Sequence, residues 1–330
     1  MANRYWQRPS QCSNKLYLPT FPDNFDIHQD RPFQHEDIYI PVDKTFIRVF
    51  ESGTSNLDLL LNELTILVST FNTLVKTYQQ HVAVYEKDAH FDLVTEMDKG
   101  IEFFLRYWIH THFPTHKIIG EEFGQDIISP HDFCWYIDPI DGTANYAQGK
   151  HEYCLNIGCV YQGAPFLHIV GLPTHDRILA ADATTPIQHS NSPKPRVCSE
   201  FYAVRELETQ FFKEIQHMLK RESYRTMALG YSLAHMSMGY CDVFYKANVK
   251  LWDVIAPLGI LALTQSEYWD IELMTYDGHY FSPFSNERAF IDYLNKRHQD
   301  NCRVGLLTIT PKSNPEFISI IREIVHGSSS

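Results

Sequence analysis

An apolar, aromatic run from Phe133 to Ile137 ends abruptly in Asp138-Pro139-Ile140-Asp141-Gly142-Thr143. The run has the length and composition of a buried strand. Pro139 lacks an N–H and fixes its own φ, so the chain is expected to leave the sheet there. Gly142 permits close backbone approach, and the N–H groups of Gly142 and Thr143 are then free to face a ligand. Two carboxylates and free amides at one strand end suit a divalent cation bridging to phosphate oxygens. The same residues also suit an ordinary polar turn, so the reading depends on what else the chain carries.

Two further stretches decide it. Lys117-Ile118-Ile119-Gly120-Glu121-Glu122 is a second short apolar run ending in paired acids. Leu251-Trp252-Asp253-Val254-Ile255-Ala256 sets an acid beside a tryptophan at the start of an apolar, helix-like segment. Oxygen-only donors of this kind select hard cations such as Mg²⁺. About four negative charges in one pocket would raise each other's pKa values without one.

In this order, Gly-Glu-Glu, Asp-Pro-Ile-Asp-Gly-Thr and Trp-Asp resemble the inositol monophosphatase family of metal-dependent phosphatases. The resemblance spans roughly residues 55 to 290. The superfamily also holds fructose-1,6-bisphosphatases, histidinol-phosphatases and 3′-phosphoadenosine nucleotide phosphatases, so the motifs select the superfamily and leave its member open. The resemblance implies a Mg²⁺-dependent phosphomonoesterase with two or three ions and a small phosphorylated metabolite as substrate. It implies that Glu121, Asp138 and the carbonyl of Ile140 hold the ion carrying the nucleophilic water. Asp138, Asp141 and Asp253 then hold a second ion, and Glu122 contributes to a third, weaker site. Asp98, in Leu93-Val94-Thr95-Glu96-Met97-Asp98, and Thr143 orient and deprotonate the water, while the amides of Gly142 and Thr143 bind phosphoryl oxygens. The fold implied is an α+β, alternating α-β-α-β-α layered sandwich, and the assembly a homodimer.

The chain also departs from the family. After Trp-Asp, the Gly-Gly turn is missing: the residues read Gln265-Ser266-Glu267-Tyr268. Seven residues before Asp253, where inositol monophosphatases carry a substrate-binding glutamate, stands Lys246, with Lys250 nearby. An ammonium only donates hydrogen bonds and cannot accept them from sugar hydroxyls. A substrate with a second anionic group, such as a bisphosphate or nucleotide, is the corresponding expectation. A sugar bisphosphatase, a nucleotide 3′-phosphatase and a catalytically weak scaffold of the same fold are the alternatives.

Residues 1–50 are expected to be an irregular extension, 51–187 an α+β lobe carrying the metal site, and 188–330 a second α/β lobe. Leu57, Leu60, Leu61, Leu64, Val68, Phe71, Leu74 and Val75 repeat at helical spacing. Thr95 is placed to cap a helix carrying Ile101, Phe104, Leu105, Trp108 and Ile109. Tyr153–Val160, Phe166–Leu172 and Ile178–Asp182 read as an antiparallel meander. Helices are expected at Tyr202–Lys220, Tyr231–Met238, Trp252–Thr264 and Pro315–Val325, and strands at Asp242–Tyr245, Tyr268–Thr275 and Val304–Ile309. His110, His112 and His116 do not share a helical face, and solvated histidines at a helix end are expected rather than a zinc site.

A net charge of −12 argues against nonspecific binding to nucleic acid or to anionic membranes. Seven cysteines without a CxxC pair fit reduced thiols in the cytoplasm. The first residues lack the pattern of a secretory signal, and no run of 18 apolar residues marks a membrane span.

Overall fold

The structure is a computed structural model and describes residues 57–80, 84–86, 93–183, 197–199, 223–224, 226–241, 243–275, 279–296 and 303–312. The expected extension of residues 1–50 and the expected helices at Tyr202–Lys220 and Pro315–Val325 lie outside them. The helices are α1 (Leu57–Tyr78), α2 (Glu96–His112), α3 (Thr143–Ala147), α4 (Leu229–Ser237), α5 (Leu251–Gln265) and α6 (Arg288–Lys296). A hairpin of β1 (Val84–Glu86) and β2 (Leu93–Thr95) precedes α2. The first sheet contains β3 (Lys117–Gly120), β4 (Phe133–Asp141), β5 (Cys154–Tyr161), β6 (Ala164–Leu172) and β7 (Arg177–Asp182), in that order. The second contains β8 (Val197–Ser199), β9 (Ser223–Tyr224), β10 (Val243–Lys250), β11 (Trp269–Met274), β12 (Tyr280–Phe281) and β13 (Arg303–Pro311), in the order β12-β11-β13-β10-β8-β9.

Side-chain alternation along the first sheet explains the layering. Trp135, Ile137, Leu155, Ile157, Cys159, Leu167 and Ile169 point to one face, where they join Leu60, Leu64, Val68 and Phe71 of α1 and Ile101, Phe104 and Trp108 of α2. Cys134 and Tyr136 point the other way and join α4, α5 and the second sheet through Leu233, Trp252, Ile255, Phe244 and Leu307. Helix, sheet, helix and sheet therefore stack in turn, the alternating α+β sandwich expected. The meander from β4 to β7 is antiparallel, and β3 joins it in parallel.

α5 approaches the first sheet closely. A Cβ on Gly259 would fall 2.1 Å from Nδ1 of His168, and one on Gly158 would fall 3.1 Å from Cα of Ala256. These two hydrogen-only positions let the backbone of α5 settle on β5 and β6.

Three expectations need correction. β4 does not stop at Pro139: it continues to Asp141 across a register shift between Asp138 and Asp141. The proline falls where the ladder is already broken, the place in a sheet where a missing donor costs least. β10 runs to Lys250, well past Tyr245. His116 is not solvated. It is buried, stacks against Phe113 and Phe133 at 4.7 and 4.5 Å, and accepts the indole N–H of Trp135 at 2.9 Å.

His168 is fully buried, and burial pushes its pKa from 6.5 down to about 3. A histidine held neutral supports the fold fully above pH 6.5. That support drains as pH falls from 6.5 toward 3, because the unfolded chain takes up the proton first. Wild type is expected to lose stability relative to His168→Leu by about 1.4 kcal/mol per pH unit in that window. Urea unfolding of both proteins across the window measures the difference directly.

Candidate metal centre

The centre forms where β3 and β4 of the first sheet meet the start of α5. Glu121 follows Gly120 at the end of β3, Asp138 lies near the end of β4, and Asp253 sits in the first turn of α5. One oxygen from each lies within 4.8 Å of the others, the only such acid cluster among the described residues. Asp138 is almost wholly buried, while Glu121 and Asp253 are partly open to solvent.

Each acid is held by local chemistry. The Asp138 carboxylate accepts the N–H of Ile140 at 3.1 Å, the tight turn that the bulge in β4 permits. Glu121 is placed by its loop. The buried Glu102 of α2 accepts the N–H groups of Glu122 at 2.7 Å and Phe123 at 3.2 Å. Arg106, one turn on, holds Glu102 at 2.8 Å and donates to the carbonyl of Gly124. Asp253 is positioned through Pro257. A proline inside a helix cannot donate to the carbonyl four residues back, and that carbonyl belongs to Asp253. Asn156 of β5 fills the gap, donating its amide to the Asp253 carbonyl at 3.1 Å.

Asp98 and Thr143 stand beside the cluster. Asp98 closes a capping box with Thr95 at the start of α2, accepting the Thr95 N–H at 2.9 Å. The Thr143 hydroxyl lies 3.2 Å from the other Asp98 oxygen and 2.9 Å from the carbonyl of Ile140. Its one proton is thereby directed at acceptors behind it, leaving oxygen lone pairs for a proton arriving from the pocket. Gly142 caps α3 with φ 88°, a backbone shape suited to glycine. A Cβ there would also meet Ala228 at 2.8 Å.

Asp141 and Glu122 are arranged differently. Asp141 turns both oxygens to the N-terminus of α4, accepting the N–H groups of Leu229 at 3.1 Å, Gly230 at 2.7 Å and Tyr231 at 3.2 Å. It is near enough to raise the pKa of Asp138 but is not among the three clustered acids. Glu122 offers its backbone, not its carboxylate, to the contact with Glu102. Lys246, partly buried on β10, lies within electrostatic reach of Asp253.

Sequence reasoning passed over Glu102 and Arg106. Their signal was an opposite-charge pair four residues apart on an otherwise apolar helix face. It also passed over the α4 amides, which no residue type announces.

The electrostatics suit a cation. Burial raises Asp138 well above the usual carboxylate range, and Glu121, Asp141, Asp253 and Asp98 add to the effect. Burial likewise raises Asp253, with Asp141 and Glu121 adding to the shift and Lys250 and Lys246 opposing it. Converging oxygen donors whose charges repel fit a hard divalent ion such as Mg²⁺.

The profile of the inositol monophosphatase family matches residues 60–263. The chain belongs to the inositol monophosphatase family. Its class of enzyme is therefore phosphoric monoester hydrolase. An uncharacterized protein of Sinorhizobium fredii is 30% identical over 214 residues, covering 62% of this chain and 76% of that protein. An inositol-1-monophosphatase of Synechocystis is 29% identical over 192 residues, covering 54% and 67%. Among solved structures, an IMPase/NADP phosphatase complexed with Mg²⁺ and phosphate superposes with a TM-score of 0.63 at 20% identity. That match covers 81% of this chain and 95% of the other and speaks for the fold alone. No described helix is long and apolar enough to cross a membrane.

Neutralising one clustered acid should relieve repulsion in the metal-free protein. Asp138→Asn is expected to melt above wild type in chelator and to gain little from Mg²⁺. Wild type should gain about 2.7 kcal/mol when Mg²⁺ is a hundredfold above its Kd. Thermal melts with and without the ion test both halves.

Proposed function

We propose that the protein is a Mg²⁺-dependent phosphomonoesterase that hydrolyses a small soluble phosphate ester by attack of water. The observation that carries this reading is the convergence of Glu121, Asp138 and Asp253 beside the Asp98–Thr143 pair. The reading extends, as the resemblance implies, to two or three Mg²⁺ ions, a homodimer and a cytoplasmic metabolite as substrate.

Glu121, Asp138 and Asp253 would hold the ions, with the Ile140 carbonyl, Asp141 and Glu122 as further ligands. Bound divalent ions supply a water of lowered pKa and neutralise phosphate charge. The chain's own residues do the rest. Thr143, its proton held by Asp98 and Ile140, orients the attacking water through its lone pairs. Asp98 accepts the proton that the water gives up, passed through the Thr143 hydroxyl. Gly142 and Thr143 present backbone N–H groups to the phosphoryl oxygens, where negative charge concentrates during transfer.

For Asp141 this role requires its carboxylate to leave, or share, the amides of α4. Those three hydrogen bonds keep the carboxylate in place while the ligand shell is incomplete, and the one from Gly230 N–H, at 2.7 Å, is the shortest of them.

Lys246 favours a substrate with a second anionic group over one recognised through hydroxyls alone. Its ammonium lies within electrostatic reach of Asp253, and a lysine recognises phosphate as a point charge.

Phosphate release should be measured with Mg²⁺ across inositol monophosphates, fructose-1,6-bisphosphate, histidinol phosphate and 3′-phosphoadenosine nucleotides. Turnover that vanishes in Asp138→Asn is the expected result, and Thr143→Val should lower kcat by about 10²-fold or more. Absence of Mg²⁺-dependent turnover on the whole panel, with ion binding intact, would point to the scaffold alternative. Lys246→Glu should shift preference from bisphosphates toward monophosphates; an unchanged ratio would remove Lys246 from substrate recognition.

A further inference from the structure

Lys250 is the residue at which β10 gives way to α5. A helix N-terminus carries unpaired N–H groups and partial positive charge, so it favours an acceptor or an acid. A lysine satisfies neither preference, and this cap makes no side-chain hydrogen bond to the helix. The reason for its presence lies at the far end of the side chain. Its Nζ is 2.8 Å from Oε1 of Glu121, with the two side chains only 17% and 11% exposed. The ammonium also lies 5.4 Å from the centre of the Trp252 ring. Glu121 is one of the three clustered acids, so the ammonium borders the same pocket.

We propose that Lys250 is a tethered cation that competes with a divalent ion for Glu121, so that loading the site requires its ammonium to be displaced. The proposal rests on the metal-site reading above. An ammonium and a hard cation seek the same carboxylate lone pairs, and two positive charges a few ångström apart in a partly buried site repel strongly. The pair is charge-assisted and largely shielded from water, so it is stronger than a surface ion pair. The four-carbon stem keeps the displaced head within reach of the pocket and lets it turn toward an anionic group there. Lys250 would thus serve the acid cluster twice, as counter-ion before the metal arrives and as a neighbour of bound phosphate afterwards.

Calorimetric titration of Mg²⁺ into the full chain, without substrate, tests this. Lys250→Met is expected to bind Mg²⁺ about tenfold more tightly than wild type, or better. It should also melt lower than wild type in chelator, because the acids lose their counter-ion. Lys250→Gln, which keeps a polar head, should move both values the same way and serves if the methionine variant folds poorly. An affinity unchanged or weakened in the folded variants overturns the proposal. Glu121→Gln separates the two layers of argument: Mg²⁺ binding as tight as in wild type would remove Glu121 from the metal site and the proposal with it. Weakened binding in Glu121→Gln, with no gain in either lysine variant, would leave the metal site standing and refute the role of Lys250 alone.

Discussion

Carboxylates that repel one another must be held together by something other than themselves. Here the restraint is the packing of α5 on the first sheet. Gly158 and Gly259 allow the close approach, and Asn156 completes the hydrogen bond that Pro257 leaves open. Asp253 is thereby delivered to Asp138, while Glu102 and Arg106 clamp the loop that delivers Glu121. The repulsion within the cluster is offset by the apolar contacts and backbone hydrogen bonds around it, in keeping with the tendency of functional sites to violate local rules that the rest of the fold obeys.

The same logic explains features that look anomalous one at a time. A proline inside a helix, a bulge in a buried strand and a lysine at a helix N-terminus each break a local preference. Each falls within a few residues of an acid of the cluster. Pro257 exposes a carbonyl for Asn156. The bulge lets Asp138 and Asp141 serve different partners from one strand. Lys250 sets an ammonium against Glu121, a carboxylate of the repelling cluster.

Much of this was legible in the chain itself, where side-chain periodicity was strong. α1 and α2 followed from apolar residues at helical spacing, and the β5–β7 meander from β-rich runs between turn residues. The acids were legible because each borders an apolar run, Glu121 and Asp138 at its end and Asp253 near its start. Less legible were contacts that depend on two distant elements meeting. Nothing in Asp141 predicts that α4 would offer it three amides. Burial of His116 depended on Phe133 arriving from the next strand. The limit of β4 was misjudged because a proline ends an isolated strand but is tolerated at a bulge.

Glu121 and Asp253 are separated by more than a hundred residues, with most of the first sheet and part of the second between them. Contacts of such long range carry a loop-closure cost that the local helices and the meander do not. A cation held by both acids would tie the two ends of that loop together. Its effect would be kinetic persistence, because unfolding would have to part both acids from the ion.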